Sequence, residues 1–588
     1  MASLRVFFPY STDRKLESLE LHPTIKKRLW AIRTELGNRA TFSGGTYFSE
    51  GRPWYGWHQL PRDVDTSPMS IAYAFVATHN HFILDREVRL FNHAAPLIKL
   101  RIDASEEDHL ALLGLLNSSA ACFWLKEKSQ EKGGAADARW ARTYEFTGTT
   151  LKNFPLPMRL PSHRSRALDS LAKRLVDYLP QTVAQNEVPT HEALDAAQAE
   201  HECTRSMMIA HQEELDWEIY RLYGLIDEDL TYSGVLPCIK LGERAFEIVL
   251  ARATESGKET AWFERHDSTP TSEIPEHWPT DYRELVQRRL SVIASNNKIR
   301  LLEQPEYKRR WAIQPWEKRV QAALKDWLLD RVEDRALWFD REGRPQPRSV
   351  SQLADVLARN EDFRIVLELW ARRPDVPTVT ALQDLLADQA VPFLAAHRYK
   401  PSGLEKRKAW VHTWELQRKE DAGELPLDPK TKLPDPPIPV PPKYKPADFA
   451  KPAYWEHRGK LDVPKERFIL YPDANRETDP TPLLGWAGWD HAQQALALAA
   501  IMNERETEGW TDERIVPLIA GLAELQPWVR QWHGEVDPTY GVSLAAIIDE
   551  ELAGRAQRAG KTLDDLAAWR PAATGRSRRS TTKNGGGA

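Results

Sequence analysis

Apolar and polar positions change period several times along the chain, and each change predicts an element. Ser70 to Thr78 alternates small, apolar and aromatic residues and predicts a strand, while His81 to Asn92 breaks at Asp85-Arg86-Glu87, which reads as a hairpin turn. From Asp108 to Lys126, apolar residues at Leu110, Leu113, Leu116 and Ala120, with the adjoining positions filled, predict one buried helix. The acids Glu106, Glu107 and Asp108 open it and suit the helix dipole. Residues 162–225 read as helical and end in LDWEIYRLYGL. Residues 226–424 are mostly helical, with Val320, Ala323, Leu324, Trp327, Leu328 and Val332 on one face.

At Leu425 the pattern stops. LPLDPKTKLPDPPIPVPPKYKPADFAKPAYW is dense in proline, which removes backbone donors and fixes φ, so residues 425–482 are expected to be extended, as a strap or linker. Tyr444, Phe449, Tyr454 and Trp455 favour a strap with aromatic anchors. Residues 483–574 return to helix, with Trp510, Trp528 and Trp532 as core or docking residues, and the basic, glycine-rich tail 575–588 reads as disordered. The expected fold is therefore α+β, mostly α: a mixed strand and helix domain (1–161), a helical connector (162–225), a helical scaffold (226–424), the strap and a C-terminal helical domain.

A length of 588 residues accommodates several domains of ordinary size, and 41% hydrophobic with 28% charged residues is a globular profile. No apolar run approaches the roughly 18 residues of a membrane helix, and MASLRVFFPYSTDRK lacks the apolar core of a signal peptide, so a cytoplasmic protein without membrane partners is expected. Cys122, Cys203 and Cys238 are odd in number and form no Cys-x-x-Cys pair, which argues against a disulfide scaffold or zinc ribbon. The net charge of −5 excludes a uniformly basic coat, but Met1 to Arg62 holds ten Lys or Arg against five acids. Such a local excess is what phosphate contacts use, although a solvated helix face at Lys26, Lys27 and Arg28 accounts for part of it.

Candidate chemistry gathers near that excess. Trp54, Tyr55 and Trp57, interleaved with Arg52, His58, Gln59 and Arg62, combine groups that stack on bases with groups that contact phosphates. Most of the 22 tryptophans, including Trp311, Trp316, Trp327 and Trp338, sit instead in helical patterns and read as core. In Thr78-His79-Asn80-His81 the two histidines share a strand face, a spacing that a metal can use, yet no third and fourth ligand can be named, so no metal is expected. Asn80, Asn92 and Gln59 have the bidentate amide that suits adenine, and Arg52, Arg62 and Arg142 suit guanine or phosphate. Ser118 and Ser119 lie beside Cys122 in an apolar helix with no base at a usable spacing, so packing rather than nucleophilic catalysis accounts for them.

The run WYGWHQLPRD, SIAYAFVATHNHFILD, REVRLFNHAAPLIKLR, DHLALLGLLNSSAACFWLKEK and YEFTGTTLKNFPLP, from Trp54 to Pro157, resembles the target-recognition domain of adenine-specific DNA methyltransferases. LDWEIYRLYGL is similar to the segment after that domain in type IIG restriction-modification methylases. Trp262 to Leu290, Ile299 to Trp311 and His412 to Asp421 resemble the C-terminal half of the PglX family, the adenine-specific methyltransferases of type 2 BREX and phage growth limitation defence systems. The resemblance implies that residues 1–161 read double-stranded DNA, through Arg52, Trp54, Tyr55, Trp57, His58, Gln59, Arg62, His79, Asn80, His81, Asn92, Arg142 and Lys152. It also implies S-adenosylmethionine as cofactor of the complete enzyme, an N-terminal catalytic segment as partner, and other defence-system proteins as further partners.

The chemistry itself is expected elsewhere. The family's Asn-Pro-Pro-Tyr type motif has only Asp435-Pro436-Pro437-Ile438 as a counterpart, inside the proline-rich run and without the aromatic residue that stacks on the target base. Neither Gly44-Gly45 nor Gly133-Gly134 follows an apolar strand, as a cofactor loop would. No catalytic or cofactor-binding residue is therefore expected on this chain. The alternative is a non-enzymatic specificity subunit acting in trans with a separate methyltransferase.

Overall fold

The computed structural model describes residues 7–11, 13–58, 69–87, 89, 91–134, 141–536, 538 and 541–572. The chain divides into two compact units, residues 61–324 (with Met1) and residues 2–60 with 325–588. With 51% helix and 9% strand, the fold is the expected α+β, mostly α.

In the first unit, two small antiparallel sheets lean on helices. Ser70–Tyr73 lies between Phe82–Asp85 and Leu97–Ile98, with Ile71 opposite both Leu84 and Ile98. The second sheet runs Val76–Ala77, Arg142–Glu145, Gln130–Gly134. All four residues of Ser70–Tyr73 are buried, so the alternation read from sequence does not separate a wet face from a dry one. The expected turn at Asp85-Arg86-Glu87 does end a strand, but that strand pairs with Ser70–Tyr73 upstream, so the chain reverses through residues 74–81 instead.

The helix expected over Asp108 to Lys126 is two helices. Glu106–Leu116 opens on a capping box of Ser105 and Asp108, and Ser119–Lys128 opens on Ser118, whose hydroxyl accepts from Ala121 N at 3.1 Å. The break lies at Asn117. Its side chain accepts from Phe82 N at 3.1 Å and donates to Phe82 O at 3.0 Å, tying the interhelix corner to the first sheet. Ile71, Tyr73, Phe82, Leu115, Leu125 and Phe146 close one apolar core with Leu215 and Ile219 of the long helix His191–Leu222.

The other side of that helix faces a second core containing Trp217, Tyr220, Tyr282, Leu285 and Trp311. Acids on the same helix also point inward. Glu214 accepts from Arg289 at 2.7 Å, and Lys308 Nζ lies 3.3, 2.9 and 3.0 Å from carboxylate oxygens of Glu213, Asp216 and Glu303, all in groups at most 3% exposed. Buried charges on this scale persist only because each meets partners in place of water.

The second unit is built around a four-stranded sheet in the order Arg348–Ser349, Leu483–Trp486, Phe468–Leu470, Ala390–Pro392, the last pair parallel with Val391 opposite Ile469. The proline-rich segment runs along helix Pro401–Asp421. Its carbonyls accept from that helix: Pro442 from Trp410 Nε1, Pro439 from Thr413 Oγ1 and Lys443 from Lys406 Nζ, each at 3.0 Å. These are the acceptors that proline leaves unused by any regular ladder. Tyr444 stacks on Tyr399 with ring centroids 4.9 Å apart. Beyond Lys451 the extended reading fails: Pro452–Arg458 is a helix, since proline is tolerated in a first turn, and Phe468–Leu470 is a strand of the sheet.

Residues 2–60 group with this second unit rather than with the rest of 1–161, and the reason is specific. Trp30 is 2% exposed in a core with Trp410, Trp414 and Trp528, and its Nε1 donates to Asp421 at 2.7 Å. Arg33 bonds Glu420 and Asp421, and Trp414 Nε1 donates to Ala31 O at 2.7 Å. The basic tail 575–588 lies outside the described residues. Among the described residues no helix is long and apolar enough to cross a membrane.

Candidate nucleic-acid interface

The sequence-predicted DNA contacts fall into both units. In the second, Trp54 and Tyr55 are half-buried and edge-packed at 5.5 Å, and Tyr55 Oη donates to Glu17 O at 3.0 Å. Trp57 Nε1 donates to Phe7 O at 3.2 Å, so these aromatic rings mainly build a local knuckle. Arg52 and His58 are exposed, Arg52 Nε lies 2.7 Å from Glu50, and the His58 ring sits 4.9 Å from Phe42, itself 79% exposed. Much of the basic excess is engaged: Lys26 with Glu20, Arg33 with Glu420 and Asp421, and Arg39 with the carbonyls of Leu36, Trp54 and Gly56. Gln59 and Arg62 lie outside the described residues.

In the first unit, Asn92 is exposed and its side chain accepts from Ala94 N at 2.9 Å. Arg142 bonds Glu131 at 3.1 Å, and Lys152 is exposed at the end of helix Gly148–Lys152. Asn80 differs from its sequence reading. It is 3% exposed, and its amide donates to Leu116 O at 2.6 Å and Ser118 O at 3.0 Å. Those two bonds use both donors and hold the interhelix corner, which leaves no bidentate edge for adenine. Ser118 and Ser119 are likewise structural, the first as a helix cap and the second donating to Asp216 at 2.5 Å.

What the fold adds is a half-buried cationic cluster around His79 and His81. Lys126 comes from helix Ser119–Lys128, and Arg309 and Arg310 from the segment after Glu303. Arg310 donates to Thr78 Oγ1 at 2.6 Å, Arg309 to Asn117 Oδ1 at 2.9 Å, and Lys126 Nζ to Glu306 O at 2.6 Å. Lys126 also lies 5.2 Å from the Tyr144 ring centroid. The cationic segment is held from behind: Arg244 donates to Arg309 O at 2.8 Å and Arg205 to Trp311 O at 2.5 Å.

Electrostatics set this cluster apart from the paired core. Burial, with Arg310, Arg309, His81 and Lys126 around it, pushes His79 down to about 2, and burial with Arg309 lowers His81. Burial lowers Lys126 and takes both Arg309 and Arg310 down to about 10. The carboxylate that offsets Arg309 is Asp216, already engaged by Lys308. Burial disfavours the protonated forms throughout, and like charge adds to this at His79, His81 and Lys126, so an anion brought to this place relieves part of a penalty that the fold carries. The same field opposes a metal cation at the two histidines, whose rings are 6.1 Å apart, and among the described residues no three metal-ligating side chains converge.

Three positions that the sequence offers as counterparts of cofactor or target-base motifs have other geometry. Gly44 sits in a turn where Thr41 N donates to Gly45 O at 3.0 Å, and Gly133 and Gly134 end an exposed edge strand, so neither pair joins a strand to a helix. Asp435 is exposed and its N donates to Pro426 O at 2.9 Å, within the strap rather than at a strand end. The chemistry that the cationic cluster offers is the holding and orienting of an anion.

Residues 208–580 match the family described as a domain of unknown function (DUF7008). The curated protein "Adenine-specific methyltransferase PglX" of Streptomyces coelicolor (strain ATCC BAA-471 / A3(2) / M145) is 50% identical over 593 residues, a match that takes in 98% of this chain and 48% of that protein. The chain spans about half the length of this curated relative and corresponds to its C-terminal half, so the resemblance to PglX drawn from the sequence is borne out. No solved structure matches the chain. Since the DUF7008 match covers well over half of its residues, the chain belongs to that family.

Proposed function

We propose that this chain is the DNA-binding specificity and scaffold portion of a site-specific adenine DNA methyltransferase in anti-phage defence. It works in the cytoplasm on double-stranded DNA, with the S-adenosylmethionine site and the methyl-transfer residues on an N-terminal catalytic segment. The observation that carries the reading is the cationic cluster of Lys126, Arg309 and Arg310 around His79 and His81, which lies against the strands of the region that resembles a target-recognition domain. A phosphodiester is the anion that such a protein would place there, and it fixes register without reading sequence. His81, Asn92 and Lys152, which are exposed, and half-buried Arg142 are the candidates for base edges in the first unit; in the second unit, taken by itself, the candidates for DNA contact are Arg52 and His58. Support also comes from the relative's own name and from the strap and buried ion pairs, which give each unit the rigidity that base reading needs.

Fluorescence anisotropy of a labelled duplex, titrated at several salt concentrations, tests this. Arg309→Gln with Arg310→Gln should weaken binding and lower the slope of log affinity against log salt by about two, one for each phosphate that is no longer neutralised. An unchanged slope in a double variant that melts like the parent would remove the cluster from the interface. Modification mapping of adenine in cells with and without this chain, the catalytic segment being present, tests the specificity role itself.

A further inference from the structure

Two of the three cysteines come together on the surface of the first unit. Cys203 lies in the middle of the long helix His191–Leu222, and Cys238 lies on the irregular stretch between that helix and Ala245–Glu255. Ile239 N donates to Ser206 O at 3.4 Å, one helical turn past Cys203, so the chain at Cys238 runs along the helix at this point. Both thiols are free and exposed, and Cys203 is near enough to help raise the Cys238 thiol. Cys122, by contrast, is fully buried, its thiol 3.9 Å from Glu306 O.

We propose that Cys203 and Cys238 are a redox-sensitive dithiol that closes to a disulfide under peroxide and reopens under a dithiol reductant. In the first step the thiolate of Cys203 attacks one peroxide oxygen, the O–O bond breaks, and hydroxide leaves and takes up a proton, giving a sulfenic acid. The sulfur of Cys238 then attacks that sulfenic sulfur, the S–O bond breaks, and water leaves with the Cys238 proton. Overall, two thiols and one hydrogen peroxide give one disulfide and two waters. Burial and the neighbouring thiol raise Cys238, which leaves the first attack on peroxide to Cys203. Surface exposure gives both oxidant and reductant access, so the bond is of the labile kind rather than a structural staple.

The position gives the bond a consequence. Closure fastens residues 226–244 to the long helix, two residues before Arg205, which holds Trp311 O at the end of the cationic segment. This inference is independent of DNA binding and is tested without it. The full chain, treated with hydrogen peroxide and then alkylated before denaturation, should lose two hydrogens and both rapidly alkylated thiols. A proteolytic map should show one cross-linked peptide pair joining Cys203 to Cys238, and dithiothreitol should restore both thiols. Cys203→Ser and Cys238→Ser should each abolish the link, and Cys122→Ser should leave it intact. The oxidised chain should also melt several degrees higher, because the cross-link restricts the unfolded ensemble. Sulfinic acids or intermolecular dimers in place of the 203–238 link, with the parent still folded, would overturn the proposal.

Discussion

Replacing Lys308 by methionine is the sharpest test of how the first unit is held together. The ammonium is 1% exposed and within 3.3 Å of Glu213, Asp216 and Glu303, whose side chains are 0–3% exposed, so its removal leaves three buried carboxylates facing a hydrophobe. Breaking a buried ion pair by deleting one partner costs about 3–5 kcal/mol, chiefly through the charge left without a partner. Part of this is absorbed by protonation, because burial already pushes Glu213 up to about 7. The cost is therefore smaller at pH 6 than at pH 8. At about 2–4 °C per kcal/mol for a unit of this size, Lys308→Met should lower the melting temperature at pH 8 by about 6–20 °C. Calorimetry or far-ultraviolet circular dichroism of the whole chain measures it, and adding Glu213→Gln should recover part of the loss, since one carboxylate then needs no counter-charge. A variant that melts within about 2 °C of the parent at pH 8 would refute the reasoning and mean that water or relaxation compensates the acids.

Glu213→Gln alone should change the pH dependence of stability. The folded carboxyl holds its proton to about 7 while an unfolded one releases it near 4.5, so the folded state binds more protons in between and stability falls as pH rises across that window. The variant should lose this fall, worth about 3 kcal/mol, and denaturant titrations from pH 4.5 to 8 would show parallel curves if the assignment were wrong. Asn80→Ala should lower stability by about 1–3 kcal/mol, by leaving the carbonyls of Leu116 and Ser118 short of a donor. It should not relax the modified DNA sequence at an adenine, and relaxed specificity at unchanged stability would restore the base-reading assignment.

Legibility followed periodicity closely and tertiary partnering hardly at all. The face of Ala323, Leu324, Trp327, Leu328 and Val332 is buried as its spacing predicts, within helix Trp316–Val332. The break at Asn117 was invisible because the apolar pattern continues through it, and its cause is a pair of bonds to Phe82, 35 residues away. Pairing of Ser70–Tyr73 with Phe82–Asp85 was missed for a similar reason: Asp85-Arg86-Glu87 has turn chemistry, but the partner lies upstream. The aromatic cluster at Trp54, Tyr55 and Trp57 was found, yet composition cannot distinguish a ring that meets DNA from one that meets Phe7 or Glu17. The cationic cluster is not legible from Ile299 to Trp311, because three adjacent cations in a sequence do not reveal that Lys308 meets buried acids while Arg309 meets Asn117 and Arg310 meets Thr78.

The fates of those three cations carry the physical argument of the site. Lys308 turns into the core and is matched by three acids, while Arg309 and Arg310 turn toward neutral His79 and His81, with Arg310 near Lys126. The backbone of the pair is fixed, by Arg244 on Arg309 O, by Arg205 on Trp311 O and by Lys308 itself. Fixing the backbone holds the two guanidinium groups beside Lys126, with Arg309 on Asn117 Oδ1 and Arg310 on Thr78 Oγ1. Preorganised, partly desolvated cations of this kind suit an anionic ligand, because no reorganisation is needed when one arrives. The buried ion pairs of the core, of little net value to stability by themselves, thereby become the support that keeps an anion site open.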